Sequence, residues 1–283
     1  GELLKQAQVD MACLANNHIF DFGEQGILDT LEVCKLNGID VVGIVNHPEG
    51  MGPSLVKEMK GKHIGFLNFC EHEFSVRQQG LLGANGYDDI DAFYQITAIR
   101  HEVDYLIVIY HGGVEYHPLP SPMVKKTFHY LADLGADAVI GHHSHVYSGY
   151  EWYHGKPLVY SLGNFFFPWP DEPEQWHQGI ICELELGNGV AFRLIPVLQC
   201  IEGYHVSLPN ESETIRIMEE VEKRSSMLVN ETILEAEWNK YTSEQGAGLA
   251  RLVLHSNKVE RLLYRFSLTQ GILSRFMNKR QRA

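Results

Sequence analysis

Basic side chains are scarce in this chain. Lys and Arg total 23 against 36 Asp and Glu over 283 residues, a formal charge of −13. Nucleic-acid binders draw on a basic surface, so no nucleic-acid partner is expected. Long apolar runs are missing too, and none approaches the ~20 residues that a membrane helix requires. Cysteine is sparse and unpaired by motif: Cys13, Cys34, Cys70, Cys182 and Cys200 are odd in number and form no CxxC. That speaks against a disulfide framework and for buried free thiols in a cytoplasmic compartment. Internal repeats and low-complexity tracts are lacking. With 45% apolar and 21% charged residues, disordered and collagen-like architectures are excluded. An initiator Met is also lacking at Gly1, which leaves room for a removed or omitted N-terminal piece.

What the chain does have is histidine. It holds 15, eight of them between His101 and His154. Its length suits one large α/β domain with an appendage. Up to about residue 155, short apolar runs alternate with amphipathic stretches. Strands are predicted over residues 9–14, 40–44, 63–69, 105–110 and 138–140, and helices over 24–37, 88–101 and 124–134. This rhythm implies mostly parallel strands with helices on both faces. Between about 149 and 206, two hairpins are expected around His154-Gly155-Lys156 and Gly187-Asn188, continuing the sheet with antiparallel strands. Residues from about 210 read as helical. Charge is uneven: from Ala247 onward the chain carries +7, leaving −20 on residues 1–246.

Four loops that directly follow apolar runs carry polar clusters. They are Asn16-Asn17-His18 through Gly23, His111 through His117, Gly141-His142-His143-Ser144-His145, and Ser161-Leu162-Gly163-Asn164-Phe165. In open α/β sheets such loops meet at the carboxyl ends of strands, where ligands bind. Imidazole nitrogens bind borderline divalent metals, and an amide oxygen is a weaker neutral ligand. An extended His143-x-His145 would place both rings on one side, with His111 on the adjacent strand. Metals held in pairs ~3.5–4 Å apart clamp a phosphate and activate water for in-line attack. His142 fits a supporting role or a spacer equally well. Glu115 could orient a ligand or be a solvated acid. Asp21 could hold the His18 imidazole in one tautomer or cap a turn. His117, His129 and His154 show no evident partner and are read as ordinary loop or surface residues.

Taken together, Asn16 to Gly23, His111 with Gly113, Glu115 and Tyr116, Gly141 to His145, and Tyr160 to Phe165 resemble the CapA family. These are bacterial capsule (poly-γ-glutamate) synthesis proteins, and the resemblance covers about residues 3 to 200. That family is similar in turn to calcineurin-like metallophosphoesterases. The resemblance implies an α/β fold: a β-sandwich flanked by helices in α/β/β/α layers, as a domain over 1–206, with a helical extension over 207–283. It further implies two divalent transition metal ions (Mn, Fe or Zn). Asn17, His111 and His143 would hold one ion and His145 the other. His18, with Asp21, would donate a proton to the leaving group. Glu115, His142, Ser161 and Asn164 would contact substrate or support the ligands.

The superfamily's opening acidic motifs have no match before Asn17. The expectation is therefore a shortened piece without its first strands, or a non-hydrolytic relative. Implied substrates are a phosphoester or a γ-glutamyl polymer. The rival is a binding or assembly subunit of a polymer synthesis and export complex. Phe165-Phe166-Phe167-Pro168-Trp169-Pro170 could wall a pocket, close over it, or pack onto the core. The basic stretch 259–277 shows a helical apolar stripe, suited to an anionic membrane surface or to the acidic body of its own chain.

Overall fold

Apolar runs bounded by turn residues set the frame. A computed structural model describes residues 1–45, 52, 54–72, 75–76, 82–200 and 202–255, with side chains up to residue 246. In chain order the elements are α1 (Glu2–Gln6), β1 (Met11–Cys13), α2 (Gly23–Leu36), β2 (Asp40–Val42), β3 (Ile44–Val45), β4 (Leu55–Met59), β5 (Lys62–Cys70), β6 (Gly83–Ala84), α3 (Asp89–Arg100), β7 (Tyr105–His111), α4 (Pro122–Leu134), β8 (Ala138–His142), β9 (Tyr150–Tyr153), β10 (Lys156–Val159), β11 (Gln178–Leu186), β12 (Val190–Cys200), β13 (His205–Ser207), α5 (Glu211–Leu228) and α6 (Glu231–His255). The basic stretch 259–277 lies outside the described residues. Among the described residues, no helix is long and apolar enough to cross a membrane.

The main sheet has six strands in the order β4-β5-β7-β8-β10-β9. Its centre, β5, β7, β8 and β10, is parallel, and β4 and β9 are antiparallel edges. Side chains on β7 alternate between two environments, as the pleat requires. Ile107 and Ile109 join Ile64 and Ala138 in a core that packs against Leu184, Leu186 and Val190 of the second hairpin. Tyr110, from the alternate set, meets Phe128 of α4 edge-on at 5.6 Å. One face of the sheet is therefore covered by helices. The other is covered by a separate antiparallel sheet, β11-β12-β13, rather than by helices. The second hairpin starts this new layer instead of continuing the first sheet. Its strands run nine and eleven residues, long enough to lie across the parallel strands and bury them.

Local chemistry explains the boundaries. Asp88 caps α3 by accepting from the N–H groups of Ile90 and Asp91, and Ser121 caps α4 ahead of Pro122. Asn210 and Glu213 form a capping box on α5. Gly43 breaks the predicted 40–44 strand into β2 and β3. Its φ is +97°, and a Cβ there would stand 2.3 Å from Asn68 Oδ1, so only glycine fits.

The chain divides into two compact units, Gly1–Asn230 and Glu231–Ala283. The first takes in α5, where the sequence suggested a boundary near 206. Ile217 and Val221 of α5 sit in a core cluster with Tyr147 and Ile180. The second unit contains α6. All five cysteines are free thiols, with Cys34 and Cys70 buried.

Candidate functional site

Five chain segments that follow strands converge on one rim: those after β1, β5, β7, β8 and β10. Those after β1, β7, β8 and β10, with Asn68 of β5, line a cavity of about 380 Å³ that reaches from Asn17 and His18 across His111, His143 and His145 to Phe167.

The floor is a chain of contacts. Asn17 Oδ1 lies 3.0 Å from His111 Nε2, and His111 Nε2 lies 3.2 Å from His143 Nδ1. On the far side of that ring, His143 Nε2 stands 3.4 Å from Glu71 Oε1. The other oxygen of Glu71 accepts the Gly113 N–H at 3.0 Å. The Glu71 carboxylate favours a proton on His143 Nε2, which turns the Nδ1 lone pair toward His111 and Asn17. Gly112 permits this packing, because a Cβ there would fall 2.6 Å from the Tyr110 ring and 3.0 Å from Glu71 Oε2.

Burial, then the neighbouring His143, lowers the His111 pKa to about 2. Burial lowers His142 to about 4. Both rings therefore stay neutral, the form that can ligate a metal. Metal–ligand bonds of about 2.0–2.2 Å place neighbouring donor atoms roughly 3–3.5 Å apart, and the two contacts among Asn17, His111 and His143 fall in that range. Among the described residues, no three His, Cys, Asp or Glu side chains form a finished cation cage. The third member of this group is an amide, Asn17.

His145 stands apart. Its ring centre is 6.2 Å from that of His143. The predicted extended His-x-His is not formed: φ is +100° at His143 and +61° at His145. Two non-glycine residues in the left-handed region within one turn are strained, and such strain persists only where surroundings over-determine it. Here Ser161 is one brace. Its carbonyl accepts the Ser148 N–H at 2.9 Å, and its hydroxyl lies 2.8 Å from that of Ser144.

The tautomer of His145 follows from its neighbours. Asn164 Nδ2 donates to the Trp176 carbonyl at 3.1 Å, so Asn164 Oδ1 faces His145 Nδ1 at 2.9 Å and must accept from it. The proton is on Nδ1, and the Nε2 lone pair points toward Glu115, 3.9 Å away. The ring is stacked on Trp176 at 4.3 Å and on Phe167 at 5.6 Å.

On the opposite rim, His18 Nδ1 and Asp21 Oδ2 are 2.9 Å apart, and both side chains are exposed. A carboxylate on Nδ1 leaves Nε2 as the working nitrogen. The loop beneath is fixed from β5 and beyond: buried Asn68 Oδ1 accepts the Ala15 N–H at 2.7 Å, and Ser75 donates to the Asn17 carbonyl at 2.6 Å.

The family model of bacterial capsule synthesis protein PGA_cap matches residues 1–168. The chain belongs to that family. Two relatives are the PGA biosynthesis protein CapA of Bacillus subtilis, 30% identical over 173 residues (59% of this chain, 44% of the relative), and the capsule biosynthesis protein CapA of Bacillus anthracis, 30% identical over 173 residues (58% and 41%). The chain thus spans less than half the length of these relatives. In three dimensions it is similar to a Staphylococcus aureus structure assigned as a 5′-nucleotidase. The TM-score is 0.50 at 13% identity, over 78% of this chain and 43% of that one. This PGA_cap chain thus has the calcineurin-like metallophosphoesterase fold.

Several residues that build the PGA_cap site carry no motif of their own. Glu71 follows β5, and its loop was not among the four expected. Asn68, Trp176 and Gln199 stand in none of the four clusters, and Trp176 and Gln199 lie beyond the matched segment. A polar residue at the end of the apolar strand β5 was the one available signal, since that position falls on the same rim.

Proposed function

We propose that this chain carries the metal-dependent hydrolase centre of a protein of capsule or surface-polymer biosynthesis. The observation that carries the reading is the convergence of Asn17 Oδ1, His111 Nε2 and His143 Nδ1 within 3.0–3.2 Å contacts on the cavity floor. The donor set is one amide oxygen and two imidazoles, of which burial keeps His111 neutral, a fit for Mn, Fe or Zn. Bound there, such ions supply Lewis-acid polarisation and a nucleophile at neutral pH.

The chain's own residues supply the rest. Glu71 and Asn164 orient the His143 and His145 rings, so Nδ1 of one and Nε2 of the other face the cavity. His18 Nε2, with Asp21 behind Nδ1, is placed to hand a proton to a leaving group on the opposite rim. The target bond is a phosphoester or a γ-glutamyl amide. Titration of the purified chain with Mn²⁺ or Zn²⁺ tests this: tight binding that His143→Ala removes is expected. No binding at saturating metal would sink it.

A second reading is a binding or assembly subunit of a polymer synthesis complex. It is favoured by His145 standing apart from the floor, with Glu115 as the near carboxylate at 3.9 Å. Metal-free protein that still associates with polymer would support it.

A further inference from the structure

The segment after Asn164 combines two properties that rarely go together. Its rings are exposed: Phe165 by 56%, Phe166 by 47%, Phe167 by 40% and Trp169 by 57%. Its backbone is nevertheless pinned from below. The Phe167 N–H donates to Oε1 of Gln199, a residue buried on β12. The Phe167 carbonyl accepts from the Trp176 indole at 2.8 Å and from the Trp169 N–H at 2.9 Å. Gln199 Nε2 in turn donates to the Trp176 carbonyl at 2.9 Å and the Asn164 carbonyl at 3.3 Å. A loop that only sealed the core would turn these rings inward. Phe165, Phe166 and Trp169 stand outward beside Phe167, which stacks on His145, and with Phe166 and Phe167 lining the cavity they make a preorganised contact surface.

The electrostatics select the occupant. Among the described residues that line the cavity, none is Lys or Arg, and residues 1–246 carry −20. With no cation on the floor, an anionic group would find no cationic side chain on this lining. An uncharged group with an apolar face and a hydroxylated edge suits both halves of the rim. Its face packs on the aromatic rings, and its hydroxyls suit the polar Asn164 and His145 of the adjoining lining.

We propose that Phe165, Phe166, Phe167 and Trp169 form a stacking subsite for a neutral sugar ring of a glycan, beside the histidine floor. This rests on the hydrolase reading only for what happens to the adjacent bond. The binding itself requires no metal.

The test is calorimetric titration of the full chain, without added metal, with cellotetraose, with chitotetraose and with tetra-γ-glutamate. At least one neutral glycan should bind saturably and more tightly than tetra-γ-glutamate. Trp169→Ala and Phe166→Ala should each weaken it about tenfold, with melting temperature unchanged because both rings are exposed. The proposal is overturned if neither glycan binds, if tetra-γ-glutamate binds more tightly, or if both variants bind glycan as the wild type does. Binding to phosphatidylcholine vesicles through these residues, with no glycan binding, overturns it in favour of a lipid surface. Glycan binding by a chain that takes up no Mn²⁺ or Zn²⁺ would sink the hydrolase reading and leave the subsite standing.

Discussion

The floor of the cavity and its aromatic wall present histidine in two different ways. On the floor, His111 touches Asn17 and His143, and Glu71 orients His143 from outside. All four follow or end strands within residues 11–143. On the wall, His145 holds its ring centre 6.2 Å from that of His143. Its ring is set by an amide, Asn164, and two aromatic rings, and those are held in place by Gln199 from the second sheet. The floor is shaped by mutual contact among its donors, the wall by scaffolding from a different layer. Damage to the floor should therefore appear as lost cation binding, and damage to the wall as lost stability and altered ring geometry.

His143→Ala gives the largest expected effect: cation binding and hydrolysis disappear together, read by metal titration alongside turnover. Second is His18→Ala, which should lower turnover by ~10²–10⁴ while leaving metal content intact. A chain emptied of metal by that change would place His18 on the floor instead. Third, Glu71→Ala should weaken metal affinity by about 10–100-fold, with Glu71→Gln closer to wild type, measured by competition with a chelating dye. Fourth, Gln199→Ala strips partners from the Phe167 N–H and two carbonyls. It should cost about 1–3 kcal/mol in urea unfolding with metal affinity on the floor little changed. An equal loss of floor affinity would mean that the two regions are one unit.

Acid probes the buried rings without any substitution. Folding holds His142 to about 4 and His111 to about 2, whereas imidazoles in an unfolded chain titrate near ~6.5. Between those values the unfolded chain binds more protons. Stability is therefore full above about pH 6.5 and falls as pH drops, by about 1 kcal/mol per pH unit for each ring. Urea midpoints at pH 7.5, 6 and 5 check the sign.

Much of the frame could be read from residue order, because apolar runs such as 105–110 and stops such as Gly135 act locally. The strands β5, β7 and β8 and the helices α2, α3 and α4 fall within two residues of their predicted bounds. What escaped was long-range. The second hairpin reads the same whether it extends a sheet or covers one. The placement of β11 and β12 over Ile107 and Ile109 is decided by burial across more than 70 residues of chain. His129 looked partnerless, yet it meets the buried Glu151 carboxylate, 22 positions away. The site shows the same division. Asn17, His111, His143, His145 and the His18–Asp21 pair sit in loops whose residue types announce chemistry. Glu71 and Gln199 act only through what the fold places beside them.

Asn68 joins parts that move on separate terms. The loop bearing Asn17 and His18 grows from β1, which among the described residues pairs with β2 in a two-stranded sheet, whereas His111 ends β7 and His143 follows β8 of the six-stranded one. Asn68, on β5, accepts the Ala15 N–H at 2.7 Å and donates to the Ile109 carbonyl at 3.3 Å, bridging the two. A two-stranded sheet opens more readily than a six-stranded one. In native-state hydrogen exchange, the amides of residues 11–20 should therefore exchange before those of β7. Opening of that arm would part Asn17 from His111 while the six-stranded sheet stays closed.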